Sequence, residues 1–329
     1  MRSSGTLGAV DSTHDTQRVI HPDVGQAIVA RVARGLAIAA RMATLDALGR
    51  ATRPHLVAHQ LRAAPIDPDD PPWCPPGSAS WTIHGDQSSL IGGVLALWLQ
   101  ALHPLALAGV LDHSDFEDDP LGRFHRTEAF VVGTTYAPGS RARELCRHVR
   151  DEVHPRIVGT AADGRPYAAG DPRLLDWIHC ALVLAVARCW LAYGDRPDSA
   201  LLDSYVAEQA RVPVELGDPD PPRSWAQLLA RIDGFQGELV VDERTAWLDE
   251  WLANPPLPGR ARLVLPLYRV VHRAGLAAAP SWALRLWGRR RPGPPARIAG
   301  TALTATIRGF IAAGPPRSPS SQPYRRPAA

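Results

Sequence analysis

At 329 residues with 45% hydrophobic content, the chain is long enough for one large globular domain or two small ones. A formal net charge of +3, with 36 basic residues against 33 acidic ones, is too small for a nucleic-acid binder, and no stretch reads as a basic and aromatic ladder. All the basic residues are arginine, and a chain without lysine cannot form a pyridoxal or aldolase Schiff base or a Walker A phosphate loop.

Residues 1–23 are polar and should be mobile. Residues 24–48 are Ala-rich, with Ile28, Val32, Leu36, Ile38 and Met42 near helical spacing and Gly49 as the stop, so they read as one helix. The first thirty residues lack an uninterrupted apolar run after a basic start, and no twin-arginine signal is present, so a cytoplasmic protein is expected. Six prolines and three aspartates between 65 and 76 exclude regular structure and make a linker or wrapping arm. Residues 1–76 are therefore read as an N-terminal extension, 77–312 as the main domain and 313–329 as a Pro, Ser and Arg tail.

Within the main domain, Trp81 to His84 reads as a short extended lead-in, and Asp86 or Ser88 can cap the next helix. Residues 90–111 are apolar nearly all round, the length of a membrane span, but Gln100 and His103-Pro104 interrupt them. Because the residue before proline avoids the α region, two shorter helices meeting at His103-Pro104 in a helical core are expected, with no transmembrane segment. Asp112-His113-Ser114-Asp115 then forms a loop. Asp119 suits an N-cap and Pro120 the first helical position, so a helix should run to about Tyr136. On it Arg123, Arg126, Thr127 and Thr134 share one stripe, able to hold a dianion or simply to make surface ion pairs.

Ser140 can start another helix, which ends at His154-Pro155. Pro155 has no N–H, so the carbonyl of Asp151 should be left free beside His154, which lies off the apolar stripe. Asp163-Gly164 is a turn signal, and Asp171-Pro172 opens an apolar helix that ends at Tyr193-Gly194 and carries His179. A histidine in such a setting is usually a hydrogen-bonded core residue. Further helices are expected over 199–217, 225–235, 242–252, 260–276 and 282–287. Strand alternation is nearly absent, so the domain is all-α. Cys74, Cys146, Cys180 and Cys189 show no C-x-x-C spacing and read as reduced core thiols.

Taken together, Trp81, His84, His103-Pro104, Asp112-His113-Ser114-Asp115-Phe116, Asp119-Pro120-Leu121-Gly122-Arg123, Arg126-Thr127, His154, Gly159-Thr160, Asp163-Gly164-Arg165-Pro166-Tyr167 and Trp177-Ile178-His179 form an ordered set. The set resembles the family once called domain of unknown function 2236, named for the catalytic domain of the MpaB-type oxygenase and of rubber oxygenase, the latex clearing protein. The resemblance covers about residues 77–312.

The resemblance implies a single large globin-like helical domain that binds haem b and uses dioxygen or peroxide on an apolar small molecule. By it, His154 is the axial iron ligand and His179 the next candidate. The arginine-x-x-lysine-threonine motif of the latex clearing members reads here as Arg123, Arg126 and Thr127, which become the distal or propionate-binding groups. Arginine replaces the lysine that can ligate iron there, and a guanidinium is a poor ligand, which leaves the sixth position to water, to His125 or open. No glutamate matches the base of those enzymes, and Asp112 and Asp115 are only nearby candidates for it. Rubber cleavage therefore does not carry over. On this reading the carbonyl freed by Pro155 could hold the Nδ1–H of His154 while Nε2 faces iron. Two other readings stay open: a non-haem metal site of His103, His113, Asp115 and His179, and a non-catalytic haem carrier or sensor.

Overall fold

The computed structural model describes residues 61–62, 64–113, 120–257 and 259–312, with only the backbone described for 120–125, 260, 261, 310 and 312. The expected helix over 24–48, the loop residues Ser114 and Asp115 and the tail from 313 lie outside the described residues. The described chain is helical apart from one hairpin, β1 (Val158–Thr160) with β2 (Pro166–Ala168).

The central pair is α2 (Ser88–Gln100) against α6 (Pro172–Tyr193), and the largest fully buried side chains, Trp98, Trp177 and Trp190, lie on these two helices. Gly92 lets them approach closely. A Cβ built at Gly92 would meet the Val186 Cα at 2.8 Å, a backbone atom that cannot rotate away. Gln100 adds a reciprocal tie, donating from Nε2 to the Ile178 carbonyl at 2.9 Å and accepting from Trp177 Nε1 at 3.1 Å.

Pro104 acts as its chemistry requires. The chain turns by 106° between α2 and α3 (Pro104–His113), and the Leu102 carbonyl in the elbow accepts the backbone N–H of Val240 at 2.8 Å. Helix α6 is long and apolar enough to cross a membrane by length and composition, and 78% of that window is buried inside the fold.

The expected extended lead-in at Trp81 is instead a helix, α1 (Ala79–Gly85). It is capped twice: the Ser78 hydroxyl accepts the Trp81 N–H at 3.3 Å, and the Glu208 carboxylate accepts Ala79 N–H at 3.1 Å and Ser80 N–H at 2.7 Å, placing a negative charge on the helix N-terminus. The proline-rich arm is anchored in the same region. Pro72 bridges to Pro138, Asp70 accepts the Ser140 N–H at 2.9 Å, and Trp73 and Cys74 are buried against Ala142 and Cys146. All four cysteines are buried and unpaired with one another.

Beyond α6, α7 (Leu202–Gln209) and α8 (Arg211–Leu216) break at Ala210, two residues before Val212-Pro213. They are followed by α9 (Trp225–Asp233), α10 (Glu243–Ala253), α11 (Leu265–Ala278) and α12 (Ser281–Leu286). A last helix, α13 (Pro294–Ala312), was not among the expected elements. Pro294 starts it, and Leu303 and the Thr304 hydroxyl, which donates to the Tyr193 carbonyl at 3.1 Å, fix it against the end of α6.

Candidate functional site

Helix α4 (Pro120–Tyr136) carries the arginine and threonine motif and packs on α5 (Gly139–His148) and α1. Its buried end is fixed by Val132 and Tyr136 against Trp81 and by Phe130 against the Ala142 and Cys146 cluster. Arg126 and Thr127 lie on its exposed side. Thr134 does not extend their stripe as a free hydroxyl: it is buried and donates back to the Phe130 carbonyl at 2.9 Å.

Glu128, the next residue, was not singled out from the sequence. It is partly buried, and desolvation raises its carboxyl to about 7. A carboxyl there exchanges a proton near neutrality, which an ordinary glutamate does not.

After α5 the chain does not simply stop at Pro155. Residues Val149–Val153 form a π-helical turn, in which the His154 N–H reaches the Val149 carbonyl, and a 3-10 turn His154–Arg156 follows. Proline supplies no N–H and its ring crowds the preceding turn, so the helix widens ahead of it. His154 sits at the end of this widened turn, half-buried, with its Nδ1 enclosed and without a hydrogen-bond partner. This corrects the expected second shell, because no backbone carbonyl holds Nδ1. Desolvation lowers its pKa, so the ring is neutral at pH 7.

His179 stands two turns into α6, buried, with Nε2 enclosed and unpartnered, and desolvation pushes its pKa down to about 4. Helix α8 links the two histidines' surroundings, packing on the π turn and α5 on one side and on α6 on the other. Leu175, one turn before His179, lies 3.9 Å from where a Cβ would sit on Gly217 at the α8 C-terminus.

The other motif residues serve the fold. His84 lies between the Thr135 hydroxyl at 2.8 Å and the Tyr205 hydroxyl at 2.9 Å, tying α1 to α4 and α7, and desolvation lowers its pKa to about 4. Asp112 accepts Tyr167 O–H at 2.8 Å and Arg244 N–H at 2.7 Å, while His113 Nε2 sits 3.0 Å from the Val158 carbonyl, so the hairpin is strapped to α3. Gly164, at φ +85°, closes that hairpin with Asp163 accepting the Arg165 N–H. His103 is engaged with Glu238, which Arg173 also holds. Among the described residues no three histidine, cysteine, aspartate or glutamate side chains converge to hold a metal, and Asp115 lies outside them, so the site of His103, His113, Asp115 and His179 is not assembled by what is described. Beside the Asp112 network, an open cleft of about 360 Å³ is lined by Leu111, Asp112, Glu243, Arg244 and Trp247.

His103 and His272 also have an unpartnered ring nitrogen, but carboxylates act on both rings, Glu238 on His103 and Asp249 on His272. His154 and His179 differ, since desolvation is the sole cause of their shift. A neutral imidazole with a spare nitrogen is the form that binds a soft or borderline metal centre.

The family model described as "ER-bound oxygenase mpaB/B'/Rubber oxygenase, catalytic domain" matches residues 81–309, which take in α1 through most of α13. No curated protein and no solved structure matches the chain.

Proposed function

We propose that this chain, which belongs to the mpaB and rubber oxygenase catalytic-domain family, is a haem b-dependent oxygenase that uses dioxygen or peroxide on an apolar small molecule. The family supports an oxygenase catalytic domain. Haem dependence rests on one observation: desolvation alone lowers the pKa of His154, and its enclosed Nδ1 has no hydrogen-bond partner.

An isolated buried nitrogen costs about 1–3 kcal/mol of lost hydration, so a fold that keeps one gains when a ligand takes it up. On that ground the residues fit the group: His154 would hold the iron, with His179 as the second candidate. Bound there, haem supplies the one-electron and dioxygen chemistry that side chains lack.

The remaining roles belong to this chain's own groups. The Arg126 guanidinium offers only N–H donors, so it would donate hydrogen bonds to an anionic group such as a propionate and would not ligate iron. Glu128, raised to about 7, can give or take a proton near neutral pH, the role for which the sequence offered only Asp112 and Asp115. Tryptophans Trp98, Trp177 and Trp190 and the apolar faces of α2 and α6 keep water from the interior beside His179.

The test is the absorption spectrum of the full chain produced with a haem supply. The wild type should carry about one haem per chain with a Soret band, and His154→Ala should lose most of it, because first-ligand loss removes most cofactor occupancy. If His154→Ala keeps full haem while His179→Ala loses it, the ligand is His179. If neither variant loses haem, or the wild type binds none, the haem reading fails. Turnover with reductant or peroxide then separates an oxygenase from a haem carrier.

A further inference from the structure

The charge of this chain is divided unevenly. Residues 251–329 carry 13 arginines and no aspartate or glutamate, so every one of the 33 acidic residues lies before them. Among the described residues of that last part, Arg289 and Arg308 reach back to Asp249 and Asp86, while Arg273, Arg285, Arg290 and Arg297 make no ion pair.

The sharpest concentration is at the C-terminal end of α11. Arg188, half-buried on α6, donates from Nε to the Ala278 carbonyl at 2.7 Å and from Nη2 to the Ala279 carbonyl at 3.3 Å. Arg291 donates from Nη1 to the Ala277 and Ala279 carbonyls, both at 2.8 Å, and from Nη2 to the Ser281 hydroxyl at 3.0 Å. The two guanidiniums therefore share the Ala279 carbonyl. Arg297, on the first turn of α13, adds a third positive charge, and the groups acting on Arg188 are Arg291, Cys189 and Arg297, with no carboxylate among them.

Capping accounts for part of this arrangement. A helix C-terminus presents roughly half a negative charge, and three guanidiniums bring three positive ones, so on the order of two and a half charges stay uncompensated. Of the three only Arg188 is partly buried, and partly burying its charge beside two exposed cations is unfavourable unless an anion joins them. The free donors are suited to one. Arg188 Nη1, Arg291 Nε and the whole Arg297 fork make no bond within the described residues, and forked guanidiniums favour the tetrahedral oxygens of a phosphate dianion over chloride.

We propose that Arg188, Arg291 and Arg297 form a phosphate-binding site at the α11 C-terminus, filled either by a free phosphate compound or by a phosphomonoester lipid headgroup. It is separate from the proposed haem ligands: Arg188 lies nine residues beyond His179 on α6, about half a turn round the helix, and so faces the other way.

The experiment uses the full chain. Thermal unfolding is followed with inorganic phosphate against chloride at matched ionic strength, and sedimentation with phosphatidylcholine vesicles is compared with vesicles that also contain phosphatidic acid. Phosphate should raise the melting temperature where chloride does not, or phosphatidic acid should retain the chain where phosphatidylcholine does not. The first result identifies a soluble phosphate as ligand, and the second alone identifies the headgroup. Arg297→Gln, an exposed change that leaves the carbonyl contacts intact, should weaken the response about tenfold. Arg297→Glu supplies the missing carboxylate from within, so it should raise the melting temperature without phosphate and abolish the response. The site is overturned if phosphate and phosphatidic acid act no better than their controls, or if both Arg297 variants respond as the wild type does.

Discussion

His84 and His179 are both brought down to about 4 by desolvation, but their nitrogens are used differently. In the seam of α1, α4 and α7, both His84 nitrogens are taken by hydroxyls, from Thr135 and Tyr205. In α6, His179 has a nitrogen enclosed and left over, as His154 does at the π turn. Equal burial thus has two meanings. A ring whose polar atoms are all consumed is a fastener, while a ring with one to spare is a cost to folding that a bound group can recover.

The largest test of this contrast is His84→Ala. Two hydroxyls lose their partner and a small cavity opens, so equilibrium urea unfolding should show a loss of about 3 kcal/mol. A loss under about 1 kcal/mol would remove the fastener role.

Acid titration sharpens the comparison. Between the unfolded value of 6.5 and the folded value of about 4, the unfolded chain binds more protons at His84 and His179. Stability should therefore fall as pH drops from 6.5 to 4, by up to about 3 kcal/mol for each ring. His179→Leu should remove its share of that slope and leave the share of His84.

Glu128 has the opposite sign. Its folded pKa of about 7 stands above the ordinary 4.5, so the folded state binds the extra proton, and stability should fall as pH rises from 4.5 through 7. Glu128→Gln should flatten that limb and stabilise the protein at pH 8 by on the order of 2 kcal/mol. If the variant follows the wild-type curve, the Glu128 carboxyl is solvated. The smallest effect belongs to His179→Leu at pH 8 without haem. It removes a polar atom that had no partner, so stability should change by less than about 1 kcal/mol. A loss as large as that of His84→Ala would mean that His179 is a structural ring too.

The long helices were legible because their signals are local. Asp171-Pro172 and Gly194 bound α6, Pro120 opens α4, and His103-Pro104 marks the elbow. Helix α1 was misread although Ser78 offers a local cap; what its short sequence does not show is the second cap, the Glu208 carboxylate 129 residues from Ala79. At Pro155 the break was legible, but proline can end a helix or widen the turn ahead of it, and the residue alone does not say which. For the site, the ordered motifs pointed to His154, Arg126 and Thr127, whereas a single glutamate between Thr127 and Ala129 says nothing until packing desolvates it. The arginine cluster escaped for another reason: a net charge of +3 averages away a division that runs along the chain.

The contact between Gly92 and Val186 bears on how far the interior can be altered. With 2.8 Å between a would-be Cβ and the opposing backbone, the spacing of α2 and α6 is set by one hydrogen atom, and no rotamer on either helix can restore it. His179 lies two turns before Val186 on the same rigid rod. Its coordinates are therefore inherited from a residue in another helix that has no side chain and no chemistry of its own. Gly92→Ala would displace α6 as a body and shift the imidazole with it, so a search for substitutions that act on His179 should include a position on another helix.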